Sequence, residues 1–200
     1  MTKKFPYDKL LIATNNPGKV KEITEILAPY DVKIISITDI DVEEPEETGV
    51  TFAENARLKA EYYGKFMNLP ALADDSGLSI VELDNYPGVY TANLAGPEKD
   101  YDRAFNEIQT KLAAKNLKSS PAFFTCSLAI RYPDGNMEGF EGRVDGIISF
   151  PPSEEKGFAY DPVFTPNGYN QRFSEMTPDQ KNKISHRGRA FEKFIEHYFS

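Results

Sequence analysis

The sequence of 200 residues contains a single cysteine, Cys126, and no tryptophan. One cysteine excludes an internal disulfide framework and a cysteine-rich zinc site. No apolar run approaches the length that spans a membrane, and residues 1–5 lack the apolar core of a secretory signal. These absences predict a cytoplasmic protein without a membrane segment.

Positive charge is also scarce, because 23 Lys and Arg stand against 31 Asp and Glu, for a net charge of −8. Proteins that coat nucleic acids need a basic surface that displaces counterions from phosphates. We therefore expect no nucleic-acid partner, although a small phosphate ligand could still bind in a local basic pocket. No repeat or flexible linker marks a boundary, so residues 1–200 are predicted to form a single domain.

Short apolar runs alternate with segments of helical periodicity. Thr51 and Glu54 have the spacing of a capping box, which predicts a helix running to about residue 66. Turn-forming residues 133–136 separate the two strands of a predicted hairpin. The predicted strands are 10–13, 32–37, 70–73 (ending at the polar sequence 74–77), 122–132 and 137–149. The predicted helices begin after the turn 15–18, at Thr51, at Gly96-Pro97, at Thr177-Pro178 and after Ser185. This pattern predicts an α/β protein with a mixed sheet.

The first candidate site is the loop from Thr14 to Lys19, between a predicted strand and a predicted helix. A helix N-terminus has unpaired backbone N–H groups and partial positive charge, so anions bind there readily. Gly18 would let the backbone approach a phosphate, and Lys19 adds a full charge. The loop is not a Walker A motif, because Ala13 and Val20 replace its first Gly and its Ser/Thr. An ordinary strand-to-helix turn is the alternative.

The second candidate is the sequence Asp74-Asp75-Ser76-Gly77, at the end of a predicted buried strand. Ligands of open α/β sheets gather outside the carboxyl ends of strands. Adjacent carboxylates suit Mg²⁺, which prefers oxygen ligands, and one of them could accept a proton from water. The alternative is an Asp-rich turn bonded to its own backbone. Glu46 and Glu47 could be further ligands, whereas the acidic residues 39–44 are interpreted as a solvated face.

Two later segments could bind a base. Residues 157–162 place Phe158 and Tyr160 beside Asp161, which suits stacking on a base and accepting its N–H groups. Ser185, His186 and Arg187 line up at a predicted helix start, with Lys181 one short helix earlier. The alternatives are a buried aromatic turn and a structural histidine.

In this order, the segments resemble the inosine/xanthosine triphosphate pyrophosphatase family, which hydrolyses deaminated purine nucleotides. The resemblance covers almost the whole chain. It is carried by residues 13–19, Glu46 to Gly49, Thr51 to Ala56 with Leu58 to Ala60, Ala73 to Leu78, Pro87 to Tyr90, Gly157 to Pro162, Lys181, and Ile184 to Gly188.

The resemblance implies cleavage of ITP, dITP, XTP and dXTP between the α- and β-phosphates, with Mg²⁺ required. It also implies an elongated mixed sheet with flanking helices, two lobes around a central cleft, and a homodimer. Asp75 would be the catalytic proton acceptor, and Glu46, Glu47 and Asp75 would bind the metal. The substrate would be bound by Thr14, Asn15, Asn16, Pro17, Gly18, Lys19, Lys59, Ser76, Phe158, Ala159, Tyr160, Asp161, Lys181, His186 and Arg187.

Three positions depart from the family pattern. Asn15 and Ala159 stand where the family usually has glycine, and Asn93 stands where an arginine is common. Three alternatives also stay open: a related pyrophosphatase for other modified bases, a nucleotide-binding module without turnover, and an acidic protein-interaction domain built on residues 39–47.

Overall fold

The computed structural model describes residues 5–155 and 157–200. Its strands are β1 (Lys9–Ile12), β2 (Lys33–Ser36), β3 (Ala71–Ile80), β4 (Tyr86–Pro87), β5 (Ser119–Arg131), β6 (Met137–Ser149) and β7 (Phe164–Pro166). Its helices are α1 (Pro17–Leu27), α2 (Phe52–Met67), α3 (Thr91–Leu94), α4 (Tyr101–Ala114), α5 (Pro178–Ile184) and α6 (His186–Phe199). Among these helices, none is both long and apolar enough to cross a membrane.

The strands form one mixed sheet in the order β2-β1-β3-β5-β6-β7, with β4 paired to β3. β1 runs parallel to both β2 and β3, whereas the β3–β4 and β6–β7 pairs are antiparallel. The parallel pairing places the residues that follow β1 beside those that continue β3. The predicted α/β class with a mixed sheet is confirmed.

The described chain divides into two compact units, each made of separate segments. The first contains residues up to 75, 126–141 and 190–200, and the second contains 76–125 and 142–189. Two buried apolar clusters fill the first unit, one around the strands with α1 and α6, the other around α2. A third cluster fills the second unit, where α4 packs with aromatic side chains. The cleft between two lobes stays a prediction.

The helix starts follow from local sequence. The Asn16 side chain caps α1 and Pro17 occupies its first turn, a position that tolerates proline because the missing N–H would have no helical partner. At α2 the predicted capping box is present, since Thr51 accepts from the Glu54 amide and Glu54 accepts from the Thr51 amide. The predicted cap at Ser185 is also confirmed, because its Oγ accepts from the Gly188 amide.

Two predicted boundaries were wrong. β3 does not stop at Asp74 but continues through Asp74-Asp75-Ser76-Gly77 to Ile80. The polar run stays extended because lysines from other elements satisfy its two carboxylates, so no local Asp turn is needed. The fourth helix begins at Tyr101 rather than at Gly96-Pro97, because the Asp100 side chain provides its cap.

Two basic side chains of α6 cover backbone acceptors along β6. β7 pairs with β6 only over residues 146–148, so the earlier part of β6 has one neighbouring strand among the described residues. In the first unit, Lys193 Nζ donates to the Glu141 carbonyl at 2.7 Å. In the second, Arg189 donates to the Arg143 carbonyl at 2.8 Å.

Candidate functional site

Two adjacent carboxylates in the middle of β3 are each paired with a lysine. Asp74 is only 1% exposed, and its Oδ2 lies 2.8 Å from Lys19 Nζ. The two groups meet because α1 follows β1, and β1 is the parallel neighbour of β3. The sequence predicted both residues, but not that Lys19 would pair with Asp74.

Asp75 shares a lysine with the acidic loop. Lys59 Nζ lies 2.7 Å from Glu47 Oε1 and 3.5 Å from Asp75 Oδ1, and its side chain is 7% exposed. Burial alone would lower the pKa of Lys59, but the surrounding carboxylates, Asp75 first among them, outweigh burial and raise it. Lys59 is therefore a charged ammonium held between two carboxylates.

The environment of Asp75 suits a proton acceptor. Burial raises the pKa of the Asp75 carboxyl above its ordinary value, with Lys59 acting in the opposite direction and Glu47 reinforcing the rise. A carboxylate with a raised pKa is a stronger base than one in water, which is the property that general-base catalysis needs.

Asn55 is a member of this cluster that the sequence did not assign. It is 2% exposed, and its Nδ2 donates to Asp75 Oδ2 at 3.2 Å. Its Oδ1 accepts from the Gly49 amide at 2.7 Å. The available signal was its position four residues before Lys59, a spacing that places two side chains on one face of a helix.

The loop before α1 satisfies its own amides. Asn16 Oδ1 accepts from the amides of Gly18 at 3.0 Å and Lys19 at 3.4 Å, and Thr14 Oγ1 accepts from the Asn16 amide. An anion at this helix start would therefore replace Asn16 Oδ1 on the first-turn amides. Asn15 has no positive φ, and its Nδ2 donates to the Tyr63 hydroxyl, so this departure from glycine carries no backbone strain.

The donor chemistry of this cluster fits a hard divalent cation. Glu47 and Asp75 offer carboxylate oxygens that already converge on one positive charge, the Lys59 ammonium, and oxygen donors are what Mg²⁺ prefers. Glu46 is exposed in the same loop. As the side chains stand, the described residues contain no preassembled group of three metal-ligating side chains. The metal role of Glu46, Glu47 and Asp75 stays a prediction.

The second unit brings together a different set of the predicted residues. Asp161 Oδ2 accepts from Lys181 Nζ at 2.6 Å and from the Phe158 amide at 2.9 Å. The Phe158 ring is 51% exposed, with Lys181 Nζ 5.7 Å from its centre. Tyr160 instead lies in the core, where its hydroxyl donates to the Thr91 carbonyl at 2.7 Å. Of the two aromatic rings, Phe158 is the one available for stacking.

His186 and Arg187 lie at the start of α6. The His186 ring stacks on Phe124, with ring centres 4.9 Å apart and planes 17° from parallel. Arg187 is 7% exposed and donates to Ser76 Oγ at 3.4 Å. A buried arginine and a stacked imidazole are hydrogen-bonding groups held in defined positions, as recognition of a planar polar ligand requires.

The chain resembles known proteins over nearly its full length. The family model described as the Ham1 family matches residues 10–197. A dITP/XTP pyrophosphatase of Rhodospirillum centenum is 44% identical over 199 residues, which cover 99% of this chain and 98% of that protein. A dITP/XTP pyrophosphatase of Ruegeria pomeroyi is 45% identical over 202 residues, which cover 100% of this chain and 99% of that protein. The solved structure of a HAM1 protein from Coxiella burnetii has a TM-score of 0.87 at 35% identity, covering 94% of this chain and 96% of that one.

Proposed function

The chain belongs to the Ham1 family, and we propose on that basis that it hydrolyses ITP, dITP, XTP and dXTP to the nucleoside monophosphate and pyrophosphate, using Mg²⁺. It is a hydrolase of the nucleoside triphosphate pyrophosphatase class. Acting on deaminated purine triphosphates, it would clear them from the nucleotide pool.

The observation that carries this proposal is the buried charge cluster of the first unit. Lys19, Lys59, Asp74 and Asp75 are all largely removed from water. Burying ion pairs costs desolvation free energy that their attraction often fails to offset, so such a cluster is weak evidence for stability. Perturbed ionisable groups gather at functional sites, and a mixed set of cations and carboxylates suits a phosphate ligand with its metal.

A triphosphate brings roughly four negative charges, which repel an attacking oxygen until cations offset them. Lys19 and Lys59 would bind the phosphates, assisted by the loop from Thr14 to Gly18. Glu46, Glu47 and Asp75 would then hold Mg²⁺, which when bound supplies further positive charge to the phosphates. Each lysine would exchange a carboxylate partner for a phosphate oxygen.

Asp75 would accept a proton from the water that attacks the α-phosphorus. Water is a weak nucleophile, and removal of its proton by a positioned carboxylate accelerates its attack. The released pyrophosphate carries the electron pair of the broken anhydride bond. Asp75 combines burial with a raised pKa, as a proton acceptor requires.

Base discrimination would come from the second unit. Hypoxanthine and xanthine carry a 6-oxo group where adenine carries an amino group. Donors from Lys181, His186 and Arg187 directed at that oxygen would reject adenine, since adenine would leave them unpaired. The exposed Phe158 ring would stack on the base, and Ser76 and the 159–161 backbone would complete the contacts.

The test is pyrophosphate release from ITP, dITP, XTP, ATP and GTP, with and without Mg²⁺. We expect rapid Mg²⁺-dependent release from the 6-oxo nucleotides other than GTP. Binding without release would replace the enzyme with a nucleotide-binding module, and release of orthophosphate would overturn the proposed bond cleavage.

We also propose a cytoplasmic homodimer, as the resemblance implies. Sedimentation analysis of the purified chain would show a dimer near 45 kDa, twice the 22.5 kDa of one chain. A monomer at micromolar concentration would contradict this assembly without affecting the proposed reaction.

A further inference from the structure

Asn55 links two parts of the charge cluster that are distant in sequence. Gly49 follows the acidic residues 46 and 47, and Asp75 lies on β3. The Asn55 side chain, at the start of α2, contacts both residues: its Oδ1 lies 2.7 Å from the Gly49 amide nitrogen, and its Nδ2 lies 3.2 Å from Asp75 Oδ2. Asn55 is 2% exposed, and its bond to Asp75 is buried, whereas its bond to Gly49 is partly buried.

The orientation of the Asn55 amide is fixed by its partners. A backbone N–H can only donate, so the side-chain atom facing Gly49 must be the oxygen. The NH₂ group is then directed at Asp75, which can accept. No reversal of the amide satisfies both partners, so Asn55 imposes one geometry on the loop and on the carboxylate.

Asn55 and Lys59 together hold both oxygens of Asp75. Asn55 contacts Oδ2 at 3.2 Å and Lys59 contacts Oδ1 at 3.5 Å. Lys59 also reaches Glu47, so one face of α2 contacts the loop twice and Asp75 twice.

We infer that Asn55 is a positioning residue for the reaction, holding the Asp75 carboxylate with its amide N–H while its carbonyl fixes the Glu46–Gly49 loop. This inference rests on the proposed function, in which Asp75 accepts the proton and the loop supplies metal ligands. Groups that orient a catalytic carboxylate or a metal ligand contribute about 10–100-fold to activity or metal affinity.

The fit of Gly49 supports the loop contact. A Cβ at this position would lie 2.5 Å from Asn55 Oδ1 and 2.8 Å from Glu54 Cβ. Only glycine lets the loop backbone approach Asn55 this closely, so the Gly49→Ala variant should break the bond from the loop side.

Two substitutions separate the effect of the Asn55 bond to Asp75 from that of its bond to the Gly49 amide. Asn55→Asp keeps an oxygen for the Gly49 amide but places a carboxylate oxygen against Asp75, so kcat should fall about 10–100-fold with KM for ITP within about threefold. Asn55→Ala removes both bonds, so the Mg²⁺ concentration for half-maximal rate should rise as well. Ser127→Ala is the matched control, because it also deletes a side-chain hydrogen bond of a buried residue, in this case to Glu141, and should leave these values unchanged.

Hydrogen exchange at the Gly49 amide gives a readout independent of turnover. Protection should persist in Asn55→Asp and be lost in Asn55→Ala and in Gly49→Ala. A wild-type kcat in Asn55→Asp, or Gly49 protection that persists in Asn55→Ala, overturns the inference. If the Asn55 variants do not fold, the Gly49→Ala variant decides the inference. Unchanged protection of the residue-49 amide and an unchanged Mg²⁺ requirement in that variant would contradict the role of Asn55 in fixing the loop. A wild-type chain that releases no pyrophosphate overturns the proposed function itself.

Discussion

At the scale of single residues, the buried carboxylates of β3 differ in their surroundings. Asp74 is paired with one lysine at 2.8 Å, whereas Asp75 contacts Lys59 and Asn55 and has a raised pKa. Neighbouring residues of one strand point to opposite faces of the sheet, which is why these adjacent side chains meet different partners. The proposed proton acceptor is therefore Asp75, whose carboxylate has a raised pKa and is contacted by Lys59 and Asn55.

Replacement of Asp75 by asparagine should separate catalysis from binding. The substitution keeps the side-chain shape but removes the group that accepts a proton, so kcat should fall at least about 100-fold. The melting temperature and the affinity for ITP should change little. Asp134→Asn, in the exposed turn before β6, is the control and should behave as wild type. A near-wild-type rate in Asp75→Asn would remove Asp75 from the reaction.

His186→Ala should erode the preference for ITP over ATP. The stacked imidazole is one of three proposed donors to the 6-oxo group, and its loss should reduce the ratio of kcat/KM values about tenfold, equivalent to one lost hydrogen bond. His197→Ala, which removes the other histidine, should leave the ratio unchanged. An unchanged ratio in His186→Ala would mean that the base is recognised elsewhere.

Local sequence predicted most of the candidate residues but not their partners. Lys19 and Asp75 were expected at the site because of their residue types and neighbours, and Lys59 because of the resemblance to the pyrophosphatase family. Asn55 was missed, because a buried asparagine becomes informative only when its two partners are known. Tyr160 was expected to face the base, yet the sequence cannot distinguish an exposed aromatic ring from one buried in the core.

At the scale of elements, the turn from Phe158 to Asp161 contains a strained residue. Ala159 has φ of +52°, in the left-handed region that disfavours residues with a Cβ. The family usually has glycine here, so the backbone keeps a glycine-like conformation without the glycine.

Ala159→Gly should therefore stabilise the protein. Relief of the left-handed strain, less the larger unfolded-state entropy of glycine, should raise the free energy of unfolding by about 0.5–1 kcal/mol, measured by urea denaturation. Asn116→Gly is the control at a similar φ of +59°, and its gain should be smaller because asparagine tolerates this region. A loss of stability in Ala159→Gly would mean that packing of the Ala159 methyl group stabilises the protein by more than the left-handed backbone strain destabilises it.

Elements with a complete local signal were predicted closely, and those that depend on distant partners were not. α2 begins where its capping box places it, because Thr51 and Glu54 satisfy each other. The end of β3 was missed because the carboxylates of residues 74 and 75 resemble a turn unless the lysines of α1 and α2 are known to pair with them.

At the scale of the whole molecule, neither compact unit is a continuous stretch of chain. β3, β5 and β6 each contribute residues to both units. We therefore expect a single thermal transition, with circular dichroism and tyrosine fluorescence coinciding and with equal calorimetric and van't Hoff enthalpies. Two resolved transitions would show that the units unfold independently.

The basic side chains of α6 on β6 have a consequence for behaviour in a crowded solution. An open strand edge offers carbonyl groups to any extended segment, and such edges seed aggregation and amyloid-like stacking. Lys193 and Arg189 already occupy the Glu141 and Arg143 carbonyls and place positive charge along this border. A foreign strand would have to displace two cations before it could pair there, so we expect the last helix to oppose aggregation through this edge of β6.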